Sequence, residues 1–395
     1  MKRYAIALIA SLLIILIIDI ILYLPLKKFF KKNRIFASLY TVHNFLVCLL
    51  ILSLYIYLPQ LDSPAFYPYF NLSIGIIILL YIPKIVFIVF YHLGKLIRHI
   101  FPAFNIFYRW TALFLASVSI IYLIWSMTWG RYNYKVAAIE IASRDIPPAF
   151  DGFKIIHISD LHLGSFFKGY RGIELLTKKI NGLEPDLIVF TGDMVNNYAS
   201  ELTPWIPQIA KMQAKYGKFA CMGNHDYGVY HHWDSPEAYR KNLFAFYSGM
   251  EAMGFRLLDN ESRFLTIGND SIVLSGIENW GDKDFINKAD IRKAIAATKN
   301  KFIILLSHDP TNWRTGIAPL GVHLTLSGHT HAMQTGIRIG NKTLSPAKYM
   351  HKEYDGLYSE GESRIYVSRG VGYIAFPGRI GLRPEFTQIV LRAKH

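Results

Sequence analysis

The sequence predicts an α/β domain preceded by an all-α, four-helix transmembrane region. Three observations predict it. Four long apolar stretches fill residues 1–130. From Arg131 onward, short strand-like apolar runs alternate with helical segments. Five of those runs end in Asp, Asn or His, so the strand ends gather ligand-type side chains on one rim. A chain of 395 residues accommodates two domains, and the expected division is 1–130 and 131–395.

The apolar stretches run near residues 4–26, 36–58, 71–92 and 109–129. Each can cross a hydrocarbon core of roughly 30 Å, which takes about 20 helical residues. The first follows Lys2 and Arg3 as a signal peptide would. It is too long for an h-region, lacks a small-residue cleavage site and precedes further spans, so it reads as retained. Loop charges set the orientation. Lys27, Lys28, Lys31, Lys32 and Arg34 place the first loop in the cytoplasm. The loop around Leu61 to Phe70 has no Lys or Arg and belongs outside, and Lys95, Arg98 and Arg109 return the third loop inside. Residues 131–395 are then expected to be extracytoplasmic (periplasmic), at the outer face of the cytoplasmic membrane. Trp110, Trp125 and Trp129 suit interfacial positions.

Asp19, His43 and Lys84 lie within spans. Asp19 and Lys84 fall at a similar depth, roughly 20 Å from the outer ends of their helices. Intramembrane charges are usually paired, so an Asp19–Lys84 pair is expected, with His43 nearby. The alternative is a snorkelling Lys84 and a protonated Asp19.

Charge is spread unevenly. Residues 1–130 hold 11 of the 43 Lys and Arg but only two acids, Asp19 and Asp62, which leaves the second half with a modest +6. The pI near 9.5 therefore partly reflects membrane-flanking loops. No basic stripe interleaved with aromatics is present, so nucleic acid is not an expected partner. Cys48 and Cys221 lie in different halves and are not expected to pair; Cys221, inside a strand, reads as a small buried apolar group.

In the second half, Tyr134 to Ile141 alternates like a strand and Ser143 to Asp151 reads as a loop. Five apolar runs follow. Phe153 to Ile158 ends in Ser159-Asp160-Leu161-His162, Asp186 to Phe190 in Thr191-Gly192-Asp193, and Lys218 to Met222 in Gly223-Asn224-His225-Asp226. Phe302 to Leu306 ends in Ser307-His308, and Val322 to Leu326 in Ser327-Gly328-His329-Thr330-His331. Helices are expected over Gly169 to Gly182 and Leu202 to Tyr216.

Two Asp, one Asn and several His form a ligand set for two metal ions held close together. A bridging carboxylate can hold two cations about 3.5–4 Å apart, and imidazole with carboxylate suits Mn, Fe or Zn. Such a pair lowers the pKa of a shared water and clamps phosphoryl oxygens, which points to hydrolysis of a phosphate ester. Gly192, Gly223 and Gly328 permit close backbone approach beside the ligands.

The series Asp-x-His, Gly-Asp, Gly-Asn-His-Asp, His, Gly-His-x-His resembles the calcineurin-like metallophosphoesterase superfamily in all five blocks. Ile365 to Gly372, the stretch Gly378-Arg379 to Pro384-Glu385, and Gly328 to Gln334 resemble a bacterial membrane-anchored subgroup. The resemblance implies a two-sheet sandwich flanked by helices. It implies that Asp160, His162 and His331 bind one metal, that Asn224, His308 and His329 bind the other, and that Asp193 bridges both, with a bridging hydroxide as the nucleophile. It further implies that His225 protonates the leaving oxygen or steadies the phosphate. Asp226 would then orient His225, since a carboxylate raises an imidazole's pKa and fixes its tautomer.

Other residues near the motifs carry weaker readings. Asn196 and Asn197 are candidates for phosphate or supporting contacts, and Arg369 and Arg379 for a bidentate grip on phosphate or a surface salt bridge. His157 and His323 read as packing, and His231 and His232 as a solvated loop. His308 follows Asn224 by 84 positions, and the stretch between includes Tyr227 to Trp233 and Tyr239 to Tyr247, aromatic segments that would cap the site.

The function these readings favour is a membrane-anchored phosphoesterase acting on a phosphorylated lipid or cell-envelope molecule. One alternative is a UDP-diacylglucosamine-type pyrophosphohydrolase of lipid A synthesis, which works on the cytoplasmic side, against the orientation above. Others are a transport or sensing protein with a regulatory phosphoesterase domain, and a metal-binding module without turnover. Nothing in the sequence specifies an oligomeric state.

Overall fold

A computed structural model describes residues 2–57, 63–101, 107–281, 286–296, 298, 300–340 and 342–394. Leu61 and Asp62, and the side chains of Lys2, Arg3 and Lys28, lie outside the described residues. The chain divides into two compact units. One is Met1–Thr128 with Ala375–Pro377, the other Trp129–Ile374 with Gly378–His395.

The first unit contains helices α1 (Lys2–Lys32), α2 (Arg34–Tyr57), α3 (Tyr67–Ile100) and α4 (Phe107–Thr128). All four contain segments long and apolar enough to cross a membrane. α1 and α3 run well past the expected spans. α3 continues through Pro83 to Ile100, so Lys95 and Arg98 sit in its last turns rather than in a loop. Ile15, Val47, Ile51 and Tyr81 pack together as a small core. Beside it, Lys84 Nζ stands 2.7 Å from Asp19 Oδ1, as the shared depth of the two residues predicts. Tyr40 and Tyr81 donate their hydroxyls to the same carboxylate at 2.8 and 2.9 Å. Lys84 also donates to Asn44 Oδ1 at 3.4 Å and lies 4.1 Å from the Tyr81 ring centroid. The intramembrane charges are thus spent on each other, while the His43 ring stacks near Tyr40 and leaves Nε2 without a partner.

The second unit is an α/β sandwich. Its elements in order are β1 (Lys135–Ser143), β2 (Lys154–Ile158), α5 (Gly172–Asn181), β3 (Leu187–Thr191), α6 (Ile206–Ile209), β4 (Lys218–Cys221), α7 (Pro236–Ala252) and β5 (Phe255–Leu257). There follow β6 (Glu261–Ile267), β7 (Asp270–Gly276), α8 (Ile291–Ile295), β8 (Ile303–Leu306), β9 (Leu324–Ser327), β10 (Ile337–Ile339), β11 (Lys342–Leu344), β12 (Gly356–Glu360), β13 (Ser363–Val367) and β14 (Glu385–Ala393). One six-stranded sheet has the order β1-β14-β2-β3-β4-β5 and the other β12-β13-β9-β8-β7-β6; β10 and β11 form a separate hairpin.

Strand periodicity sorts the core. Successive side chains point to opposite faces. Ile155, Leu187 and Val189 therefore meet Leu306, Leu324 and Leu326 between the sheets. Ile156, Ile188 and Phe190 face the helical layer with Leu176 and Phe246. On the outer face of the second sheet, Leu305 and Val367 pack with Trp313. The result is the expected two-sheet sandwich with helices outside. The helix expected over Leu202 to Tyr216 reduces to the four residues of α6, because Pro204 and Pro207 withdraw two backbone donors.

This topology fixes the site. β2, β3 and β4 run parallel in one sheet, and β8 and β9 run parallel in the other. Their carboxyl ends lie on one rim, and all five ligand-bearing blocks begin there.

Candidate dinuclear metal centre

The loop after β2 is stitched to the loop after β3: Asp160 N donates to Gly192 O and His162 N to Asp193 O, each at 3.0 Å. Asp160, His162, Asp193, His329 and His331 have φ between 48° and 70°. Non-glycine residues rarely adopt this left-handed conformation, which costs of order 1–3 kcal/mol each and clusters at functional sites. The backbone is bent so that these side chains converge. Glycine at 223 and at 328 is required for a simple reason: a Cβ at either would overlap the carboxylate of Asp193 or of Asp160.

Two groups result, Asp160 with His162 and His331, and Asp193 with His308 and His329. Within each, the candidate ligand atoms all lie within 4.8 Å of one another. His162 Nε2 and His331 Nε2 are 3.0 Å apart, and His331 Nε2 is 3.3 Å from Asp160 Oδ1. Asp193 Oδ2 lies 3.2 Å from His308 Nε2 and 3.6 Å from His162 Nε2, so one carboxylate oxygen touches both groups. Asn224 Oδ1 is 3.0 Å from His329 Nδ1, which is 3.3 Å from His308 Nε2. The structure brings together all seven residues that the sequence pattern selects.

Neighbours fix the tautomers. His308 Nδ1 donates to Thr191 O at 2.6 Å and His162 Nδ1 to Asn196 Oδ1 at 3.1 Å, which turns the Nε2 lone pair of each inward. Imidazoles that commit one nitrogen to an outer acceptor are oriented for metal binding. His331 Nδ1 is buried with no partner. Imidazole nitrogens 3.0 Å apart, in a pocket where His162 and Asp160 are fully buried, fit a divalent cation.

Electrostatics point the same way. Burial pushes Asp193 up, but His308, His225 and His162 outweigh it and hold the carboxyl well below its ordinary range. Burial, with Asp193 adding to it, raises Asp160 to about 7. His308 is raised to about 10 because Asp193 and Asp160 overcome its burial. Desolvation lowers His162 to about 3 and His329 to about 4. Neutral imidazoles at His162 and His329 and a firmly ionised Asp193 suit metal binding, and an arriving cation would have to displace the His308 proton.

His225 borders this cluster. Its ring is 5.0 Å from that of His162, and it is more exposed than the cluster's buried carboxylates. Nδ1 donates to Asn196 O at 2.8 Å, leaving Nε2 free to face a ligand. Asp226 does not orient it. The Asp226 carboxylate accepts from the backbone N–H groups of Asp193, Met194 and Gly223 at 2.8–2.9 Å and from Val195 at 3.2 Å. It gathers the metal-site loop, and a main-chain carbonyl takes the orienting position.

Two further expectations are corrected. Arg369 is buried and forks onto Asp355 at 2.9 and 3.1 Å, with Glu385 at 3.1 Å, so it is an internal ion-pair residue and not a phosphate clamp. Arg379, also buried, donates to the carbonyls of Gly370 and Gly372 at 3.0 and 2.8 Å, and closes a loop instead of gripping phosphate or bridging at the surface. Asn197 accepts from Tyr230 N at 3.2 Å, whereas Asn196 supports His162. His157 bonds Thr191 Oγ1 at 2.7 Å inside the sandwich, and His323 accepts from Ile303 N.

Sequence reasoning missed Glu201 and Asp309, and it reached Tyr230 only as part of a capping segment. Glu201 accepts four backbone N–H groups, from Gly164, Asn196, Asn197 and Tyr198, at 2.6–3.1 Å. Tyr230 accepts from Asn224 Nδ2 at 2.7 Å and lies 4.7 Å from the His225 ring, which makes the Tyr227 to Trp233 segment a wall of the site. Tyr239 to Tyr247 belongs to α7 instead, and Tyr247 bonds Asp259. Asp309 stands 3.8 Å from His329 Nε2. Its place directly after His308 was the available signal.

Comparison with known proteins agrees with this geometry. Residues 153–333 match the family described as calcineurin-like phosphoesterase. Residues 2–131 match one described as probable calcineurin-like phosphoesterase, transmembrane domain. The uncharacterized metallophosphoesterase YkuE of Bacillus subtilis (strain 168) is 33% identical over 259 residues, covering 64% of this chain and 84% of that protein. A transmembrane protein with metallophosphoesterase domain from Bos taurus is 28% identical over 272 residues, and one from Danio rerio 29% over 271. Each of those two alignments covers 65% of this chain and 57% of the relative. Family match, relatives and site agree: this chain belongs to the calcineurin-like metallophosphoesterases, hydrolases of phosphate esters, and carries four helices that suit it to the membrane.

Proposed function

We propose that the protein is a dinuclear-metal phosphoesterase acting at the outer face of the cytoplasmic membrane on a phosphorylated lipid or cell-envelope molecule. The observation that carries this reading is the Asp193 carboxylate, one oxygen of which lies within 3.6 Å of His162 and 3.2 Å of His308. Asp160, His162 and His331 would hold one ion, Asn224, His308 and His329 the other, and Asp193 would bridge them. The donor set suits Mn, Fe or Zn. Two such ions, when bound, supply a nucleophilic hydroxide from water and absorb charge developing on the phosphoryl oxygens.

The chain's own residues do the rest. Thr191 O and Asn196 Oδ1 keep His308 and His162 in the ligand tautomer. His225, fixed through Nδ1 by Asn196 O, presents Nε2 on the more open side, where it would protonate the leaving oxygen. Six residues separate Thr128 from Lys135 in sequence, so α4 tethers the hydrolytic unit closely to the bilayer. That tether and the four spans support a substrate borne by the membrane or envelope.

The test measures metal content and hydrolysis of an aryl phosphodiester and monoester. Wild type is expected to bind two ions per chain. Asp193→Asn should lose at least one ion and nearly all turnover, whereas His225→Ala should keep both ions and lose about 10²–10⁴-fold in kcat. Wild-type turnover in Asp193→Asn sinks the proposal. Lipid profiles of cells carrying Asp193→Asn, compared with wild type, would identify the accumulating ester.

A further inference from the structure

The stretch from His331 to His351 carries a surface that the metal site does not use. In the β10–β11 hairpin, Ile337 pairs with Leu344 and Ile339 with Lys342. Paired residues share a face with their next-but-one neighbours, so Ile337, Ile339 and Leu344 stand together on one side. They are 65%, 63% and 50% exposed. The turn that follows adds Tyr349 at 82% and Met350 at 70%. The fold does not need these side chains bare: Thr343, on the other side, anchors the hairpin through its hydroxyl to Asp355 and its carbonyl to the Tyr354 hydroxyl. A cluster of this kind on a soluble face marks an interaction site.

Charge selects the partner. Lys342 stands on the apolar side, Arg338 is exposed on the other, Lys348 and Lys352 are exposed in the turn and just after it, and no Asp or Glu occurs between His331 and Lys352. Apolar side chains interleaved with Lys and Arg, with an aromatic at the edge, match the headgroup–acyl boundary of a bilayer containing anionic lipid. The chain's four spans keep a bilayer within reach.

We propose that the β10–β11 hairpin and the turn through Met350 form a docking surface for an anionic phospholipid bilayer. The segment starts at His331 and ends at His351, whose ring is 5.6 Å from that of His329. A bilayer seated there brings its phosphates beside the metal cluster. The proposal goes beyond the hydrolytic reading, because the surface is defined whether the centre cleaves a lipid or a soluble ester.

The test uses the full chain, with Cys48→Ser, reconstituted in phosphatidylcholine vesicles with or without phosphatidylglycerol. A polarity-sensitive fluorophore is attached at Ile339→Cys or, as control, at Arg240→Cys on α7; Cys221 is buried. Spin-labelled lipid should quench the Ile339→Cys probe several-fold more than the control in anionic vesicles, and Lys342→Glu with Lys348→Glu should remove the difference. Equal quenching at the two positions overturns the proposal. So does a cross-link between hairpins of two copies without lipid quenching, which would assign the face to self-association. Hydroxyl-radical footprinting of the unsubstituted protein is the independent check: Tyr349 and Met350 should be protected in anionic vesicles relative to detergent, and undiminished labelling overturns the proposal. Neither readout depends on turnover, so a failed metal-site reading leaves this result interpretable.

Discussion

Asp226 and Glu201 are buried carboxylates that neither touch the metal cluster nor face solvent, yet each collects four backbone N–H groups around the loop after β3. Asp226→Asn retains the shape but turns an amide donor toward some of those N–H groups. Hydrogen bonds to charged groups contribute about 1.5–3 kcal/mol, so a loss of roughly 3 kcal/mol or more is expected, read as a lower Tm and weaker metal retention. The pH–rate profile of the remaining activity should not move; a displaced limb would return Asp226 to orienting His225. His157 carries a second prediction. Burial holds it near 3 against an ordinary 6.5. Between those values the unfolded chain binds a proton that the native state refuses, so its contribution is full above pH 6.5 and declines as pH falls toward 3. By pH 5 the loss is roughly 2 kcal/mol, from about 1.4 kcal/mol per pH unit. His157→Gln should flatten the acid limb of Tm against pH, and an unchanged limb would refute this. The metal-type residues were legible in sequence because few side chain types serve that chemistry and each stood at a strand end. Glu201 was not, since a loop-gathering acid looks like any surface acid. Arg369 was misread because Asp355 and Glu385 reach it only through the folding of distant segments.

At the scale of elements, the Asp19–Lys84 pair ties α1 to α3, with Tyr40 of α2 on the same carboxylate. Breaking a buried pair by removing one partner costs about 3–5 kcal/mol, because the survivor is stranded. Asp19→Asn and Lys84→Met should each lower Tm in bicelles more than the double substitution does; additive losses would show that the pair is not coupled. Depth along two apolar helices was enough to foresee this contact. Helix length was harder to read, since α3 continues through Pro83 and past its most apolar stretch to Ile100. The expected helix at Leu202 failed for the opposite reason, two prolines within an apolar pattern.

For the whole molecule, alternation of strands and helices identified the class, while the assignment of strands to two sheets required pairings that local pattern does not encode. β2, β3 and β4 deliver Asp160, Asp193 and Asn224 from one sheet, and β8 and β9 deliver His308 and His329 from the other. Orientation is the prediction at this scale. Alkaline phosphatase fused after Ala393 should be active and a cytoplasm-restricted fluorescent reporter dark; the reverse pattern would place the hydrolytic unit inside. One feature of the first sheet bears on the order in which the hydrolytic unit is completed. β14 lies between β1 and β2, parallel to one and antiparallel to the other. Synthesis proceeds from the amino end, so every loop that carries a metal-type residue leaves the ribosome before the strand that fills this gap. The first sheet is therefore complete only once its last strand has been made.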